Sequence, residues 1–260
     1  MQGYKKAEYL GVRIDLGIKK DSLSKIFNQL LNKGASKIYT VNPEFIVDSY
    51  FDLDFKKELN SSDLNVIDGI GLLYGLRIFF KQKIDDSVFK NLELIPGVDL
   101  TDSLLDYADQ NNLSVFILGG NPKFDSSSKA LEKIKVKYPN LKLVGSSSSF
   151  SYKSEDDSKT VSYIKSCLAE KGCDNLDILL VGYGHKNQEF WISRNSHKIP
   201  AKISIGVGGT IDYFSGMVPR APKFFRKLGL EWLFRLFIQP SRFLRIIKAT
   251  VIFPILSLKN

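Results

Sequence analysis

Short runs rich in aliphatic and β-branched residues alternate with helix-length segments along most of the chain, and this alternation strongly constrains the fold. The pattern predicts strands at residues 8–16, 37–41, 64–67, 114–118, 142–145, 177–181 and 202–207. Helix-length mixtures of polar and apolar residues lie between most of them, for example at residues 22–32, 101–110, 126–137 and 156–171. Strands that alternate with helices favour a parallel sheet. We therefore expect an α/β fold with a Rossmann-like, largely parallel sheet flanked by helices.

The C-terminal region differs in composition from the rest of the chain. Residues 220–260 contain nine Lys or Arg residues, one acidic residue and seven aromatic residues, whereas residues 1–219 contain 28 basic and 27 acidic residues. The net charge of +9 therefore lies almost entirely at the C-terminal end. Charge balance and periodicity change together near residues 219–222. We predict an α/β catalytic domain over residues 1–219 and a basic, amphipathic helical appendage over residues 220–260.

Apolar and cationic side chains are interleaved in this appendage, as at residues 224–227 and 243–248. This combination suits an anionic membrane surface. Its longest uncharged run, residues 249–258, is too short to span a bilayer. Two alternatives are an amphipathic helix that packs on the domain with solvated cations, and a nucleic-acid-binding patch, although no recognised nucleic-acid motif accompanies it. We favour association with a membrane surface.

The N-terminal residues and the cysteines bear on the cellular compartment. Residues 1–8 lack the sustained apolar core of a secretory signal, so we expect a cytoplasmic protein. Cys167 and Cys173 are too few for a disulfide framework and are predicted to be unpaired thiols.

The sequence offers little support for a metal site. His185 and His197 show no metal-ligand spacing with the two cysteines. Asp52 and Asp54 resemble the Asp-x-Asp pair that holds a divalent ion in some sugar transferases, but they lie in a helix-like segment flanked by Lys. We predict that this pair belongs to a solvated face, and we expect no metal.

Several predicted strands end in Gly, Asn or Asp, and Asp68 follows one of them. In an open α/β sheet the ligand crevice lies beyond the carboxyl ends of the strands, where such loops gather. A carboxylate beside apolar walls can have its pKa moved into the range of a general base. The alternative for Asp68 is a residue that stabilises a turn or caps a helix.

Thr40 and Asn42 lie at the end of the neighbouring predicted strand. Their hydroxyl and amide groups could orient a sugar or a nucleotide. The alternative is helix capping, with Asn42 as the N-cap and Pro43 at the first helical position.

Two glycine-rich loops, residues 182–184 and 206–209, could bring backbone N–H groups close to phosphate oxygens. Neither forms the Gly-x-Gly-x-x-Gly motif, which makes a Rossmann dinucleotide enzyme a poor interpretation. Gln188 follows the first loop in the opening turn of a predicted helix. Its amide could bind a uridine-like edge or a sugar hydroxyl, whereas the alternative is an ordinary surface residue.

Taken together, these motifs closely resemble the WecG/TagA/CpsF glycosyltransferase family, in the family's order and over about residues 8–245. The matching motifs are Thr-Val-Asn-Pro (40–43), Asp-Gly-Ile-Gly (68–71), Pro-Gly-Val-Asp-Leu (96–100), Gly-Gly (119–120), Gln-Glu-Phe-Trp-Ile (188–192), Gly-Val-Gly-Gly-Thr-Ile-Asp (206–212), Arg-Ala-Pro (220–222) and Leu-Glu-Trp-Leu-Phe-Arg (230–235). The chain departs from many relatives at Leu94 and Lys186, where they often have Arg and Pro.

The resemblance implies an inverting transferase that needs no metal or cofactor. Its donor would be a UDP-sugar carrying N-acetylmannosamine, its uronate or a hexose, and its acceptor an undecaprenyl-diphosphate-linked saccharide in cell-surface polysaccharide synthesis. The enzyme would be peripheral on the inner face of the cell membrane, with no nucleic-acid partner, and the resemblance is compatible with a homo-oligomer. A non-catalytic, membrane-associated scaffold is the alternative.

The resemblance also implies roles for individual residues. Asp68 would be the catalytic base. The arginines of the appendage would reach the active site and stabilise the leaving diphosphate; they are Arg235, Arg242 and Arg245. Substrate binding would fall to the pocket residues and glycine-rich loops, namely Thr40, Asn42, Gly119, Gly184, Gln188, Gly208 and Gly209.

Overall fold

The structure, a computed structural model, describes residues 4–79 and 86–259. The strands are β1 (Lys5–Tyr9), β2 (Val12–Leu16), β3 (Ser36–Val41), β4 (Leu64–Ile67), β5 (Ser114–Gly119), β6 (Lys142–Ser147), β7 (Leu176–Gly182) and β8 (Ala201–Gly206). The α-helices are α1 (Leu23–Lys33), α2 (Pro43–Phe51), α3 (Leu53–Asn60), α4 (Ile70–Phe79), α5 (Asp86–Lys90), α6 (Gly97–Gln110), α7 (Ser126–Lys137), α8 (Asp157–Glu170), α9 (Asn187–Asn195), α10 (Thr210–Phe214), α11 (Lys223–Lys227), α12 (Glu231–Ile238), α13 (Phe243–Ile247) and α14 (Phe253–Ser257). Shorter helical turns are Lys20–Ser22, Pro122–Phe124, Ser154–Asp156, Pro240–Arg242 and the π-helical Lys248–Ile252.

Six strands form one parallel sheet in the order β4-β3-β8-β7-β5-β6, which confirms the predicted α/β fold. Helices cover both faces, and the strands consequently consist mostly of buried aliphatic residues. One face packs against α2, α3, α4, α8 and α9, and the other against α1, α6, α7 and α10.

The helices that follow two adjacent strands leave the sheet on opposite faces. The chain passes from β3 into α2, whose Phe45 belongs to one core, and from β8 into α10, whose Ile211 belongs to the other. Loops that diverge in this way leave a crevice at the carboxyl ends of the strands. This divergence positions the candidate site.

The prediction of one strand at residues 8–16 was wrong. The segment contains parts of two strands, β1 and β2, which pair antiparallel in a separate two-stranded sheet with Tyr9 opposite Val12. Leu10 and Gly11 form the turn with φ of 51° and 82°. A two-residue hairpin turn favours positive φ at both positions, and Leu is an uncommon residue there. The turn therefore carried little signal in the sequence.

The C-terminal region is helical, as predicted, and it packs on the sheet domain. Phe253 is buried and its ring stacks on Tyr9, with centroids 5.9 Å apart. Gly75 of α4 makes room for this ring, because a Cβ there would lie 2.8 Å from it. Within the described residues, no helix is both long enough and apolar enough to cross a membrane. Cys167 and Cys173 are free thiols, in agreement with the prediction.

Candidate active site

A cavity of about 450 Å³ lies at the carboxyl ends of β3, β4 and β8, between the sheet domain and the C-terminal region. All of the predicted site residues except Gly119 line it: Thr40, Asn42, Asp68, Gly184, Gln188, Gly208, Gly209, Arg235, Arg242 and Arg245. Residues from both predicted parts of the chain therefore meet around one space.

Asp68 follows β4 and faces the cavity. Its backbone N–H donates to the carbonyl oxygen of Val41 (2.8 Å), and its carboxylate accepts a hydrogen bond from the Gly97 N–H (3.3 Å) at the start of α6. Burial raises the pKa of the Asp68 carboxyl to about 6, against the opposing effects of the Arg235 charge and the Gly97 N–H. The group is therefore mostly ionised at neutral pH and yet more basic than an ordinary aspartate.

Asn42 caps α2. Thr40 lies beside Gly97, the residue whose N–H donates to the Asp68 carboxylate. The Asn42 Oδ1 accepts hydrogen bonds from the N–H groups of Glu44 (2.9 Å) and Phe45 (3.2 Å). The capping interpretation of Asn42 is therefore confirmed. A Cβ on Gly97 would lie 3.4 Å from the Thr40 side chain and 3.6 Å from the Asp68 carboxylate, so these side chains share a narrow space.

Gln188 opens α9 as predicted, but its side chain is buried. Its Oε1 accepts a hydrogen bond from the Gly208 N–H (2.8 Å), and its Nε2 donates to Glu189 Oε1 (2.7 Å). A Cβ on Gly206 would lie 2.7 Å from Nε2, so only glycine fits there. The Gln188 amide and the Gly208 N–H, which the sequence suggested for substrate contacts, thus bind each other and fix the loop after β8.

Glu189 is a buried acidic residue that the sequence analysis missed. Its Oε1 accepts from Gln188, whereas Oε2 has no hydrogen-bond partner among the described residues. Burial raises the pKa of its carboxyl to about 7, although nearby His185 and the Gln188 hydrogen bond act in the opposite direction. An acidic residue in the first turn of a helix usually lies in solvent, so sequence alone gave no reason to expect burial.

We expect Glu189→Gln to stabilise the protein increasingly as the pH rises. The folded-state pKa lies above the unfolded-state value, so the wild-type protein loses stability as the pH rises towards 7, whereas Gln does not titrate. The advantage of the variant should grow by about 2–3 kcal/mol between pH 5 and pH 8. Urea unfolding at both pH values measures it, with exposed Glu132→Gln as the control for net charge. An equal difference at both pH values would contradict a protonated Glu189.

Arg235 and Arg242 bring two guanidinium groups close to Gly209. Arg235 donates through Nε to the Tyr213 hydroxyl and lies 4.7 Å over that ring, and Arg242 donates through Nε to Gln239 Oε1 (2.5 Å). A Cβ on Gly209 would lie 3.2 Å from Arg242 Nη2 and 3.9 Å from Arg235 Nη2.

The pKa of Arg242 is lowered, in part because these cations lie close together. Burial, together with repulsion from Arg235 and Arg245, lowers the pKa of the Arg242 guanidinium to about 10. The group stays charged at neutral pH. A partly buried cation held next to like charges favours binding of an anion, because the anion relieves the repulsion.

Arg245 differs from the other two arginines because it is paired with a carboxylate. Its Nε lies 2.9 and 2.8 Å from the two Glu44 oxygens, and its Nη2 lies 2.6 Å from Oε2. Next to this pair, the Asp48 carboxylate accepts from Lys248 Nζ (2.6 Å) and contacts His185 Nε2 (2.7 Å). Burial alone would raise the Asp48 pKa, but these two hydrogen bonds hold it below its usual value.

Glu44, Asp48 and His185 could offer ligand atoms to a metal ion, since these atoms lie within 4.8 Å of one another. Both carboxylates already pair with cations of the C-terminal region. In this structure the cluster is therefore an ion-pair network. A metal ion would have to compete with Arg245 and Lys248 for the two carboxylates.

The Asp-x-Asp pair lies elsewhere, at the start of α3. Asp52 caps this helix and pairs with Lys186 (2.5 Å), whereas Asp54 is exposed beside Lys57. The interpretation of Asp54 as part of a solvated face agrees with the structure.

Gly119 lies outside the cavity. It ends β5, which is separated from β3 by β8 and β7. A Cβ on Gly119 would lie 2.8 Å from the Gly182 carbonyl, so the absence of a side chain serves the packing of β5 on β7. The predicted contribution of Gly119 to substrate binding therefore finds no support in this cavity and stays a prediction.

The fold and the cavity define an α/β protein whose ligand cleft combines one acidic group of raised pKa with a cluster of arginines. A sequence model of the glycosyl transferase WecG/TagA/CpsF family matches residues 7–260. The chain belongs to this family, which confirms the resemblance found in the motifs.

Two relatives carry a more specific description. The chain is 33% identical over 218 residues to the N-acetylglucosaminyldiphosphoundecaprenol N-acetyl-beta-D-mannosaminyltransferase of Bacillus spizizenii, a match that covers 83% of this chain and 76% of the relative. It is 32% identical over 215 residues to the protein of the same description from Bacillus subtilis, with the same coverage of 83% and 76%.

Proposed function

We propose that this glycosyl transferase moves a sugar from a UDP-sugar to a saccharide carried on undecaprenyl diphosphate, with inversion at the anomeric carbon. Relatives that share about a third of its residues are described as transferring N-acetylmannosamine to an N-acetylglucosaminyl-diphosphoundecaprenol acceptor. The observation that carries the proposal is the cavity itself, where Asp68 and the guanidinium groups of Arg235 and Arg242 line one space.

In the proposed reaction Asp68 acts as the general base. Its carboxylate takes the proton from an acceptor hydroxyl as that oxygen attacks the anomeric carbon of the donor. The bond from this carbon to the diphosphate oxygen breaks, and UDP leaves from the opposite face. The raised pKa of about 6 suits the role, because the group is ionised at neutral pH but accepts a proton more readily than an ordinary aspartate.

Arg235 and Arg242 stabilise the negative charge that develops on the leaving diphosphate. Guanidinium groups stay charged and bind phosphate oxygens bidentately. Their Nε atoms are held by neutral partners, Tyr213 and Gln239, rather than by a carboxylate. A preorganised contact formed chiefly in the transition state contributes roughly 2–4 kcal/mol.

The C-terminal region also supplies a surface for a membrane-borne acceptor. Phe237 and Leu244 are 73% and 70% exposed, and cationic residues are interleaved with these apolar side chains. This surface supports a peripheral position on an anionic membrane face, where a lipid-linked acceptor would be presented. In this proposal residues 1–219 supply the base and residues 220–260 supply the arginines, so neither part holds the whole site.

An assay with defined substrates tests the function. The full chain is incubated with a panel of UDP-sugars and with polyprenyl-diphosphate-linked saccharides, and the product is identified by mass spectrometry and its anomeric configuration by NMR. Transfer with inversion supports the proposal. Retention on anionic liposomes without transfer or donor hydrolysis would favour the non-catalytic scaffold instead.

We expect kcat/KM to rise with pH and to level off above an inflection near pH 6. Asp68 must be deprotonated to act as a base, so below its pKa of about 6 the rate should fall about tenfold per pH unit. The profile is measured from pH 5 to pH 8 at constant ionic strength, with circular dichroism confirming that the fold persists. A rate that stays flat down to pH 5 would show that the pKa of Asp68 is not raised or that Asp68 is not the base.

A further inference from the structure

The C-terminal segment is held on α2 by two neighbouring ion pairs. Glu44 and Asp48 are four residues apart on α2 and present their carboxylates on one face. Arg245 and Lys248 are three residues apart and meet them in the same order, with closest N–O distances of 2.6 Å in each pair. The two pairs therefore form a short ladder between the sheet domain and the C-terminal region.

Glu44 would weaken anion binding if it stood alone in the cavity. Its side chain is only 9% exposed, and its carboxylate lines the same space as Arg242. A buried carboxylate without a partner is costly to the fold and would repel a diphosphate. Arg245 supplies the neutralising charge through both Nε and Nη2.

The three arginines are consequently not equivalent. Arg235 and Arg242 donate through Nε to uncharged oxygens of Tyr213 and Gln239, and no salt bridge to a carboxylate is found for either among the described residues. The charge of Arg245 is balanced locally by Glu44. Arg242 lies three residues before Arg245, one helical turn away, so the position of one determines where the other can reach.

We infer that Arg245 is a positioning residue whose ion-pair partner is Glu44. The Glu44–Arg245 and Asp48–Lys248 pairs hold the helical turn that places the Arg242 side chain in the cavity. Phe253, buried against Tyr9, anchors the same segment farther along. The inference rests on the proposed function, because it assigns Arg245 a role different from that of the two diphosphate-binding arginines.

A charge exchange tests this assignment. Arg245→Glu should reduce transfer at least tenfold, because two carboxylates then face each other. The double variant Glu44→Arg/Arg245→Glu re-forms the pair in reverse and should return to within about fivefold of the wild-type rate. In the matched control, adding Glu44→Arg to Arg242→Glu should restore nothing, since Arg242 has no carboxylate partner in the described contacts.

Amide hydrogen exchange of residues 243–257 gives a readout that does not require turnover. Arg245→Glu should increase exchange in this segment, and the charge exchange should restore protection. Arg242→Ala should leave the segment protected although transfer is lost. If the wild-type chain transferred no sugar from any donor, the proposed function would be contradicted. The hydrogen-exchange data would still show whether the ion pairs hold the C-terminal segment on α2.

Two results would overturn the inference. The first is protection restored by the charge exchange without recovery of transfer, which would require the Arg245 guanidinium in the cavity. The second is a segment that remains protected in Arg245→Glu. If the charge exchange prevents folding, the neutral pair Glu44→Gln/Arg245→Gln leaves no unpaired charge, and its protection and transfer should change together, both kept or both lost. Loss of transfer in a protected neutral pair, or transfer kept in an unprotected one, would also overturn the inference.

Discussion

Asp68→Asn should lower kcat by roughly 10²–10⁴-fold while leaving the fold and the donor affinity close to those of the wild-type protein. Asn has nearly the same shape, and its Oδ1 can still accept the hydrogen bond from Gly97. It cannot take a proton from an acceptor hydroxyl. Steady-state kinetics with a lipid-linked acceptor, together with calorimetric titration of UDP, separates loss of the chemical step from loss of binding.

A second carboxylate of the same cavity provides the control for Asp68. Asp99 pairs with Arg220 and Lys20, and these partners hold its pKa below the usual value despite burial. Asp99→Asn removes the same charge but not the base, so kcat should fall less than tenfold. Near wild-type turnover by Asp68→Asn, or an equal loss in both variants, would remove Asp68 from the proposed mechanism.

Arg242→Met should reduce kcat by roughly 10²–10³-fold, because it removes a preorganised cation from the leaving diphosphate while keeping a long side chain. The expected loss corresponds to about 3–4 kcal/mol of transition-state stabilisation. The same substitution should also weaken UDP binding, since burial beside Arg235 and Arg245 makes this site favourable to an anion. Kinetics with a water-soluble acceptor isolates the effect from adhesion to lipid.

Lys227→Met is the matched control, because Lys227 is an exposed cation of the same region. Each surface cation contributes about 1 kcal/mol to binding at an anionic membrane, so Lys227→Met should lose a small part of its liposome affinity, and Arg242→Met, whose guanidinium faces the cavity, should lose no more than that. Only Arg242→Met should lose transfer. Comparable transfer by the two variants would mean that Arg242 serves adhesion alone.

The sequence predicts the parallel sheet well because buried strands of such a sheet are continuous aliphatic runs ended by polar turns. The strand predicted at residues 64–67 coincides with β4, and that at residues 37–41 differs from β3 by one residue. The hairpin at Leu10 was missed because its turn lacks the usual Asn or Asp. Local pattern therefore locates elements where burial is uniform and fails where a turn uses an unusual residue.

The placement of the site followed from strand ends, whereas its internal contacts could not be read from local pattern. Glu44 and Arg245 are 201 residues apart, and nothing in either neighbourhood indicates the other. Periodicity gave no means to distinguish the buried Glu189 from a solvated acidic residue. The roles proposed for Arg235 and Arg242 depend on which side chains hold Nε, which is a property of the folded chain.

Phe253 contacts Tyr9 of the N-terminal hairpin, which precedes the parallel sheet in the chain. Phe253 itself lies in α14, which comes after the last strand of that sheet. During synthesis all strands emerge before Phe253 does, so the sheet can form while the Tyr9 side of the core is still incomplete. The cavity wall contributed by Arg242 and Arg245 comes from the same late segment. A nascent chain can thus acquire its sheet before the segment that closes the site is available to it.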